Sequence, residues 1–329
     1  MSNFYTRVAN TELGTDIYPI RSDTFVIRTL LNPLRLTRTL IQLGHEPLSP
    51  TASLSPLSLL SFSSSTIYCY PNVFVYTRHL FHTYGFWPVM TCGFFSSFCF
   101  DFLTEVFYFM SHRYIVERAL CAEEWLDDTE VMEKPKSRFG EGLVDRIPLS
   151  QFAAHLLNLC LLKVHEVVIT QPFYVIMVRQ GASIIGKEVG YSWFYQAVLS
   201  IFRDNGIMGF FSGITPRLMF ELSPMIIYLC VRRMLQQNIF SSLRSWSKTV
   251  HSCIHTLSYA VINFLAYRLE VVSCVMALHG SRIPTAEAAV ANSFSGWREC
   301  RRTLAMTGQL QRGYFPFWRF CPTPSFAPL

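Results

Sequence analysis

Ionisable and amide side chains recur at helical spacing inside long apolar stretches of this sequence. Nine of them are candidate site residues, and each lies three or four residues from another polar side chain. They are Arg35, Arg38, Gln42, Lys163, Arg217, Glu221, Asn263, Tyr267 and Glu270. Such spacing places side chains on one face of a helix. A polar face on an apolar helix can bind water, a charged solute or a polar polypeptide segment without covalent chemistry.

Charge inside an apolar helix has an energetic consequence that limits its interpretation. A charged side chain at bilayer depth costs about 2.5 to 3.5 kcal/mol on insertion scales, so it needs water or a partner. One interpretation is that the side chains pair with one another, for example Arg217 with Glu221 or Arg35 with Glu105. The other is a hydrated groove, which we predict to be open to lipid and to contact a client polypeptide. Pairing is the simpler interpretation for any single residue, whereas the whole set favours the groove.

The composition predicts that these helices lie in a membrane. Half of the 329 residues are hydrophobic and 15% are charged, whereas soluble proteins carry about 25% charged residues. Five stretches have the length of spanning helices: roughly Phe25 to Gly44, Phe94 to Ile115, Leu149 to Gln180, Ile214 to Gln236 and Thr249 to Leu278. None is an uninterrupted run of about 20 apolar residues. We therefore predict an all-α membrane protein of about five spanning helices around a polar interior.

Several functional classes find no support in the sequence. No nucleotide-binding fingerprint and no nucleophile with its base is present, so we expect no enzyme and no cofactor. His251 and His255 lie one turn apart but lack further ligands, so no metal site is expected. The net charge of +6 suits anionic lipid rather than nucleic acid, because no basic and aromatic platform is present. The N-terminus lacks the features of a secretory signal peptide.

An internal repeat organises the helices. Similar local patterns surround Pro33, Pro172 and Arg268, and a shorter amphipathic segment ends at Gly206. We predict units of helix, surface helix and helix, with the following boundaries: repeat 1 over 1–120 with a Ser-rich loop at 49–65, an acidic loop over 121–147, repeat 2 over 148–240, and a repeat 3 over 241–329 that lacks its last helix. Pro33, Pro172 and Pro216 are predicted kinks, and Gly206, Gly209 and Gly213 are predicted turn and close-packing residues.

The residues of the middle repeat resemble the mitochondrial carrier family. The segment from Asp204 to Arg217, with Pro172 to Arg179 before it, matches the family pattern of an acid and a glycine that end a surface helix. The stretch Leu40–Leu48, and the stretch from Gly296–Cys300 through Arg312–Gly313, further resemble the mitochondrial carrier homologs. This resemblance implies an outer mitochondrial membrane protein that inserts or docks α-helical, tail-anchored proteins. It also implies a role in apoptosis through BH3-type proteins.

The chain departs from metabolite carriers at the positions that would form salt bridges between odd-numbered helices. The family places an acid and then a base after each motif proline. Here those positions hold Arg35 and Arg38, Tyr174 and Met177, and Glu270 and Ser273. No ring of three acid–base pairs is therefore expected.

Two other functions remain open from the sequence. One is transport of a small anion bound by four arginines, Arg35, Arg38, Arg179 and Arg217. The other is a receptor or scaffold for BH3-type proteins, in which a loop such as Glu123 to Lys136 recruits the partner and the helices only anchor it.

Overall fold

Helices dominate the fold. The computed structural model describes residues 25–54, 66–127, 149–235, 248–317 and 319–320. The α-helices, numbered here along the chain, are α1 Phe25–Leu30, α2 Asn32–Leu43, α3 Val73–Tyr84, α4 Phe86–Thr91, α5 Phe94–Asp127, α6 Leu149–Gly186, α7 Phe194–Asn205, α8 Ile214–Met234, α9 Lys248–Ala277, α10 Ala286–Ser293 and α11 Trp297–Met306. Short 3-10 helices span Val189–Tyr191 and Ile207–Phe211.

Within the described residues, four helical segments are long and apolar enough to cross a bilayer. They are Phe86–Ser111, Phe152–Gly186, Ile207–Met234 and Thr256–Ala277. They correspond to four of the five predicted spans, and the all-α, carrier-like fold class is confirmed. The first predicted span is divided at Leu31 into α1 and α2, which have six and twelve residues. Among the described residues, these two helices do not reach spanning length.

Of four prolines in the long helical stretches, two lie in the first turn of a helix and two lie inside a helix. Pro33 lies in the first turn of α2, directly after the break at Leu31, and Pro216 is the third residue of α8. A proline is tolerated in a first turn, because its missing N–H would have no helical acceptor there. The prediction of a mid-helix kink was therefore wrong for Pro216, and Pro33 marks a helix start. Pro172 does lie inside α6, and Pro224 inside α8 is an interior proline that the sequence reading missed.

A small sheet replaces part of the predicted Ser-rich loop. Strand β1, Thr51–Leu54, pairs antiparallel with β2, Thr66–Tyr70. Strand β3, Arg319–Phe320, pairs antiparallel with the other edge of β2. The loop prediction was wrong for 51–54, while 55–65 lie outside the described residues.

The acidic loop also begins later than predicted. Helix α5 continues to Asp127, well past the predicted end near Ile115. Residues 121–127 are therefore helical, and 128–147 lie outside the described residues. The division into three repeats remains a prediction.

The chain divides into two compact units. The first contains the described parts of Met1–Phe25, Phe102–Val167 and Glu221–Asn263, and the second contains those of Val26–Asp101, Val168–Phe220 and Phe264–Leu329. The core of the first unit is a small cluster around Phe152, Leu159, Tyr228 and Leu229. The second has a large core along α6, α7 and α9 and a smaller one along α2 and α3.

Candidate functional site

Four candidate residues of the second unit are joined by hydrogen bonds. We call Arg38, Gln42, Tyr267 and Glu270 the polar cluster. Nη2 of Arg38 lies 3.2 Å from Oε2 of Glu270, and Nε2 of Gln42 donates to Oε1 of the same carboxylate at 3.0 Å. The Gln42 amide also donates to the Tyr267 hydroxyl at 3.0 Å. Residues more than 220 positions apart in sequence thus form one connected polar group.

Helix α2 positions its half of the cluster through its amphipathic sequence. Leu36, Leu40 and Ile41 are buried in the smaller core of this unit. The helix ends at Gly44, whose φ of 96° is left-handed and whose N–H bonds the carbonyls of Leu40 and Ile41. Arg38 and Gln42, four residues apart, consequently lie on the face toward Glu270.

One end of the polar cluster is accessible and the other is buried. The side chains of Arg38 and Glu270 are 48% and 23% exposed. Gln42 and Tyr267, in contrast, are buried. A polar ligand approaching the cluster would therefore meet the Arg38–Glu270 pair first.

The Arg38–Glu270 pair is also informative for the transport alternative. Arg38 lies at a position where metabolite carriers place a base, and Glu270 lies at one where they place an acid. These two residues hold opposite charges and lie in contact. Tyr174, at an acid position, instead lies under the Arg217 guanidinium, 4.7 Å from it to the ring centroid. One acid–base contact at these positions agrees with the expectation that no ring of three forms.

Arg35 pairs with a residue other than the one considered from sequence. Its Nη2 donates to both oxygens of Asp101, at 2.9 and 2.7 Å. The sequence reading considered Glu105, one turn further along α5. Nη1 of Arg35 is buried without a hydrogen-bond partner among the described residues.

Arg217 is held by uncharged groups. Nη1 donates to Oε1 of Gln171 at 2.8 Å, and Nη2 donates to the Thr170 hydroxyl at 2.8 Å. The guanidinium also lies over the rings of Tyr174 and Phe100. The sequence reading considered Glu221 as the partner of Arg217, and it did not include Gln171 and Thr170. Gln171 was missed by sequence reasoning, and its position directly before Pro172 was the available signal.

Lys163, Glu221 and Asn263 belong to the first unit. Nζ of Lys163 lies 2.9 Å from a carboxylate oxygen of Glu166 and 3.1 Å from one of Glu221. One ammonium is thus shared by two carboxylates on α6 and α8. Asn263 donates to the Tyr259 carbonyl of its own helix at 2.8 Å. Lys163 and Glu221 come together, while Asn263 bonds locally.

The motif residues have structural contacts. Arg179 is fully buried, and its guanidinium donates to the carbonyls of Ala277 and His279 and to Oδ1 of Asn205. Because these acceptors engage all three of its nitrogens, Arg179 is a poor candidate for binding an anion. A Cβ at Gly213 would lie 2.7 Å from the Ser273 carbonyl, and one at Gly209 would lie 2.6 Å from the Cβ of Asn205.

Large apolar side chains are exposed along the spanning helices. They include Phe98, Phe102 and Phe109 of α5, Leu157 and Leu161 of α6, Met219 and Ile227 of α8, and Leu257, Val261 and Leu265 of α9. Exposed apolar side chains in this number are unfavourable in water and favourable against lipid tails. They support a bilayer as the environment of these helices.

The described residues contain no group of three or more His, Cys, Asp or Glu side chains that could hold a metal ion. The side chains of His251 and His255 lie outside the described residues.

The sequence has known relatives. The family model described as mitochondrial carrier protein matches residues 150–243. Over 299 residues the chain is 27% identical to mitochondrial carrier homolog 2 of Mus musculus and 26% identical to that of Homo sapiens, covering 89% of this chain and 90% of each relative. Mitochondrial carrier homolog 1 of Mus musculus is 20% identical over 308 residues, covering 87% of this chain and 72% of the relative.

Proposed function

We propose a function from the premise that this chain belongs to the mitochondrial carrier homologs and is a mitochondrial membrane protein. It inserts or docks α-helical, tail-anchored proteins in the outer mitochondrial membrane. The observation that carries the proposal is the polar cluster, which has the accessible ion pair Arg38–Glu270 at one end and draws Tyr267 and Glu270 from α9, a helix with exposed apolar side chains.

The physical argument concerns the hydrophilic flank of a client protein. Moving polar and charged groups across hydrocarbon is costly unless they find hydrogen-bond partners. Arg38 and Glu270 offer one cation and one anion, and their 3.2 Å contact is long for a charge-assisted hydrogen bond. A client's polar groups can replace part of this contact at small cost, while its apolar helix remains against lipid.

A second group near the Arg38–Glu270 pair is Nη1 of Arg35, which has no hydrogen-bond partner among the described residues. Arg35 lies three residues before Arg38, so both guanidinium groups lie on one side of α2. This nitrogen is buried, so it becomes available to a client carbonyl or carboxylate only when the client displaces the side chains that cover it. Apoptotic BH3-type proteins, which the family resemblance supplies as partners, are proposed to dock at this surface as well.

Small-anion transport receives less support. One of its four arginines, Arg179, is fully buried and bound to protein acceptors, and Arg217 is bound to Gln171 and Thr170. A carrier site needs such groups to face a solute, so the arginine set does not act together.

Photo-crosslinking in isolated mitochondria tests the proposal. A photoreactive residue at Leu31, an exposed position directly before α2, should crosslink to a newly made tail-anchored protein. Arg38→Glu should reduce crosslinking and insertion, because it places two carboxylates together. The matched control is Arg302→Glu, the same charge change at an exposed position of α11. No crosslink in the wild type, together with normal client insertion after depletion of the protein, would sink the proposal.

A further inference from the structure

The chain after α11 runs back to the polar cluster. Residues 308–317, which we call the strap, form consecutive turns and bends. At its far end, the Val73 N–H donates to the Pro316 carbonyl at 3.0 Å. Strand β3 follows, and Nη1 of Arg319 donates to the Pro71 carbonyl at 2.9 Å while Nη2 contacts Glu46. The strap is thus held between α11 and the small sheet.

The middle of the strap bonds directly to the cluster. The Tyr267 hydroxyl donates to the Arg312 carbonyl at 2.5 Å while it accepts from Gln42. This hydroxyl is the group through which the strap and the Gln42–Glu270 hydrogen bonds are connected.

Aromatic and backbone contacts add to this hydrogen bond. The Tyr314 ring packs edge to face on Tyr267 and on Phe264, with centroids 5.0 and 4.9 Å apart. A Cβ at Gly313 would lie 3.2 Å from Cγ2 of Ile41 and 3.3 Å from the Tyr267 hydroxyl oxygen, so the backbone approaches closely. The strap therefore lies against α2 and α9 at the end of the cluster where Gln42 and Tyr267 are buried.

We propose that the strap covers a peptide-binding surface in the resting protein and competes with the client for this surface. The surface is formed by Ile41, Phe264 and Tyr267, together with Gly44, where an added Cβ would overlap the Arg312 guanidinium. Its ligand is an extended polypeptide segment that presents a carbonyl to the Tyr267 hydroxyl and an aromatic or other large apolar side chain to Phe264. The inference rests on the proposed function and names the part of the client that is bound, its extended polar tail.

The contacts of the strap define which ligand the surface prefers. It makes one backbone hydrogen bond to the cluster and one set of aromatic contacts, and its Gly313 allows close approach at a φ of 72°. Displacing it would extend the accessible polar surface from Arg38 and Glu270 to Gln42 and Tyr267. A client tail would then gain acceptors and donors that the resting chain covers.

Releasing the strap gives the first half of the test. In Tyr314→Ala, loss of the aromatic contacts should shift the strap about tenfold toward its released state, as a loss of roughly 1.4 kcal/mol implies. A cysteine at Ile41, a buried position, should then react faster with a maleimide. Crosslinking of the client from Leu31 should rise in parallel. Phe317→Ala is the matched control, because Phe317 is 60% exposed and contacts Phe74 instead of the cluster.

Locking the strap gives the second half. The Cβ of Ile41 lies 3.7 Å from a Cβ built at Gly313, within the range of about 3.5 to 4.5 Å for a disulfide. The double variant Ile41→Cys, Gly313→Cys should lose client crosslinking when oxidised and regain it with reductant, whereas each single variant should not respond.

The two proposals fail differently. Equal crosslinking of the client to the wild type, to Tyr314→Ala and to the oxidised double-cysteine variant would refute competition between the strap and the client. This result would leave the proposed function standing. Faster labelling at residue 41 without more crosslinking would overturn the competition as well. Absence of crosslinking in every form, the released one included, would overturn both.

Discussion

At the scale of single residues, the charges inside the apolar helices are held by specific acceptors. Arg35 makes a bidentate contact with Asp101, and Lys163 lies between two carboxylates. In a medium of low dielectric constant, the attraction between such groups offsets their desolvation only while each has its partner. Removing one member of a pair should therefore be more disruptive than its surface exposure suggests.

Lys163→Met is expected to lower the free energy of unfolding by about 3 to 5 kcal/mol, the usual effect of removing one member of a buried ion pair. Glu166 and Glu221 would then face each other without the shared ammonium. The measurement is the midpoint of thermal unfolding in detergent. The control is Arg203→Met, which removes an exposed charge on α7. Equal unfolding midpoints for the two variants would contradict the prediction.

Gly213→Ala is expected to destabilise the protein more than Gly206→Ala. Both glycines have positive φ angles, 73° and 63°, so each variant carries a backbone cost of about 1 to 3 kcal/mol. A Cβ at Gly213 would also lie 2.7 Å from the Ser273 carbonyl, whereas one at Gly206 meets nothing within 4 Å. Thermal unfolding of the two variants side by side measures this difference. A larger effect at Gly206 would refute the close-packing role of Gly213.

At the scale of elements, helix ends are fixed by side chains from distant parts of the sequence. Arg179 of α6 binds the Ala277 carbonyl at the end of α9 and the His279 carbonyl just beyond it. Those carbonyls have no helical donor, so the guanidinium satisfies acceptors that burial would otherwise leave unpaired. Helix α10 is similarly connected to the chain after α2, because His45 lies 2.9 Å from Glu287.

The His45–Glu287 contact predicts a pH dependence. The hydrogen bond from His45 lowers the pKa of Glu287 below its ordinary value of 4.5. A carboxyl group whose pKa is lower in the folded state stabilises the fold above its unfolded pKa, and this stabilisation is lost as the pH falls through the folded value. The wild type should therefore lose more stability than Glu287→Gln between pH 6 and about pH 3. Parallel losses of thermal stability in the two proteins would contradict the assignment.

At the scale of the whole molecule, exposed surface has two environments. The exposed part of Arg38 should face water, whereas the exposed apolar side chains of the spanning helices should face lipid. The exposed fraction of a side chain does not distinguish these environments, because Arg38 and Leu265 are both about half exposed, at 48% and 57%.

Thiol labelling in intact membranes separates them. Arg38→Cys should react with a membrane-impermeant maleimide, because the thiol lies where water solvates the ion pair. Leu265→Cys should react at least about tenfold more slowly, since thiolates, the reactive form, are rare in lipid. Equal labelling of the two positions would show that the polar cluster has no separate aqueous access.

The sequence determined the class of protein and most of the helices, because apolar content and 3.6-residue periodicity are local properties of a chain. It also predicted the nine candidate residues, since their spacing on helix faces depends only on the sequence nearby. The resemblance around Pro172 and Gly213 gave the family, which the comparisons support.

Only the tertiary structure decided the partners. Arg38 and Glu270 are 232 positions apart, and Arg35 selected Asp101 because rotation about the helix axis, which periodicity does not fix, directs that side chain. The strand at 51–54 and the return of the strap to Tyr267 were likewise missed, since pairing between distant segments leaves no local signal. Which face of each helix meets its neighbour is a property of packing, and packing depends on the whole chain at once.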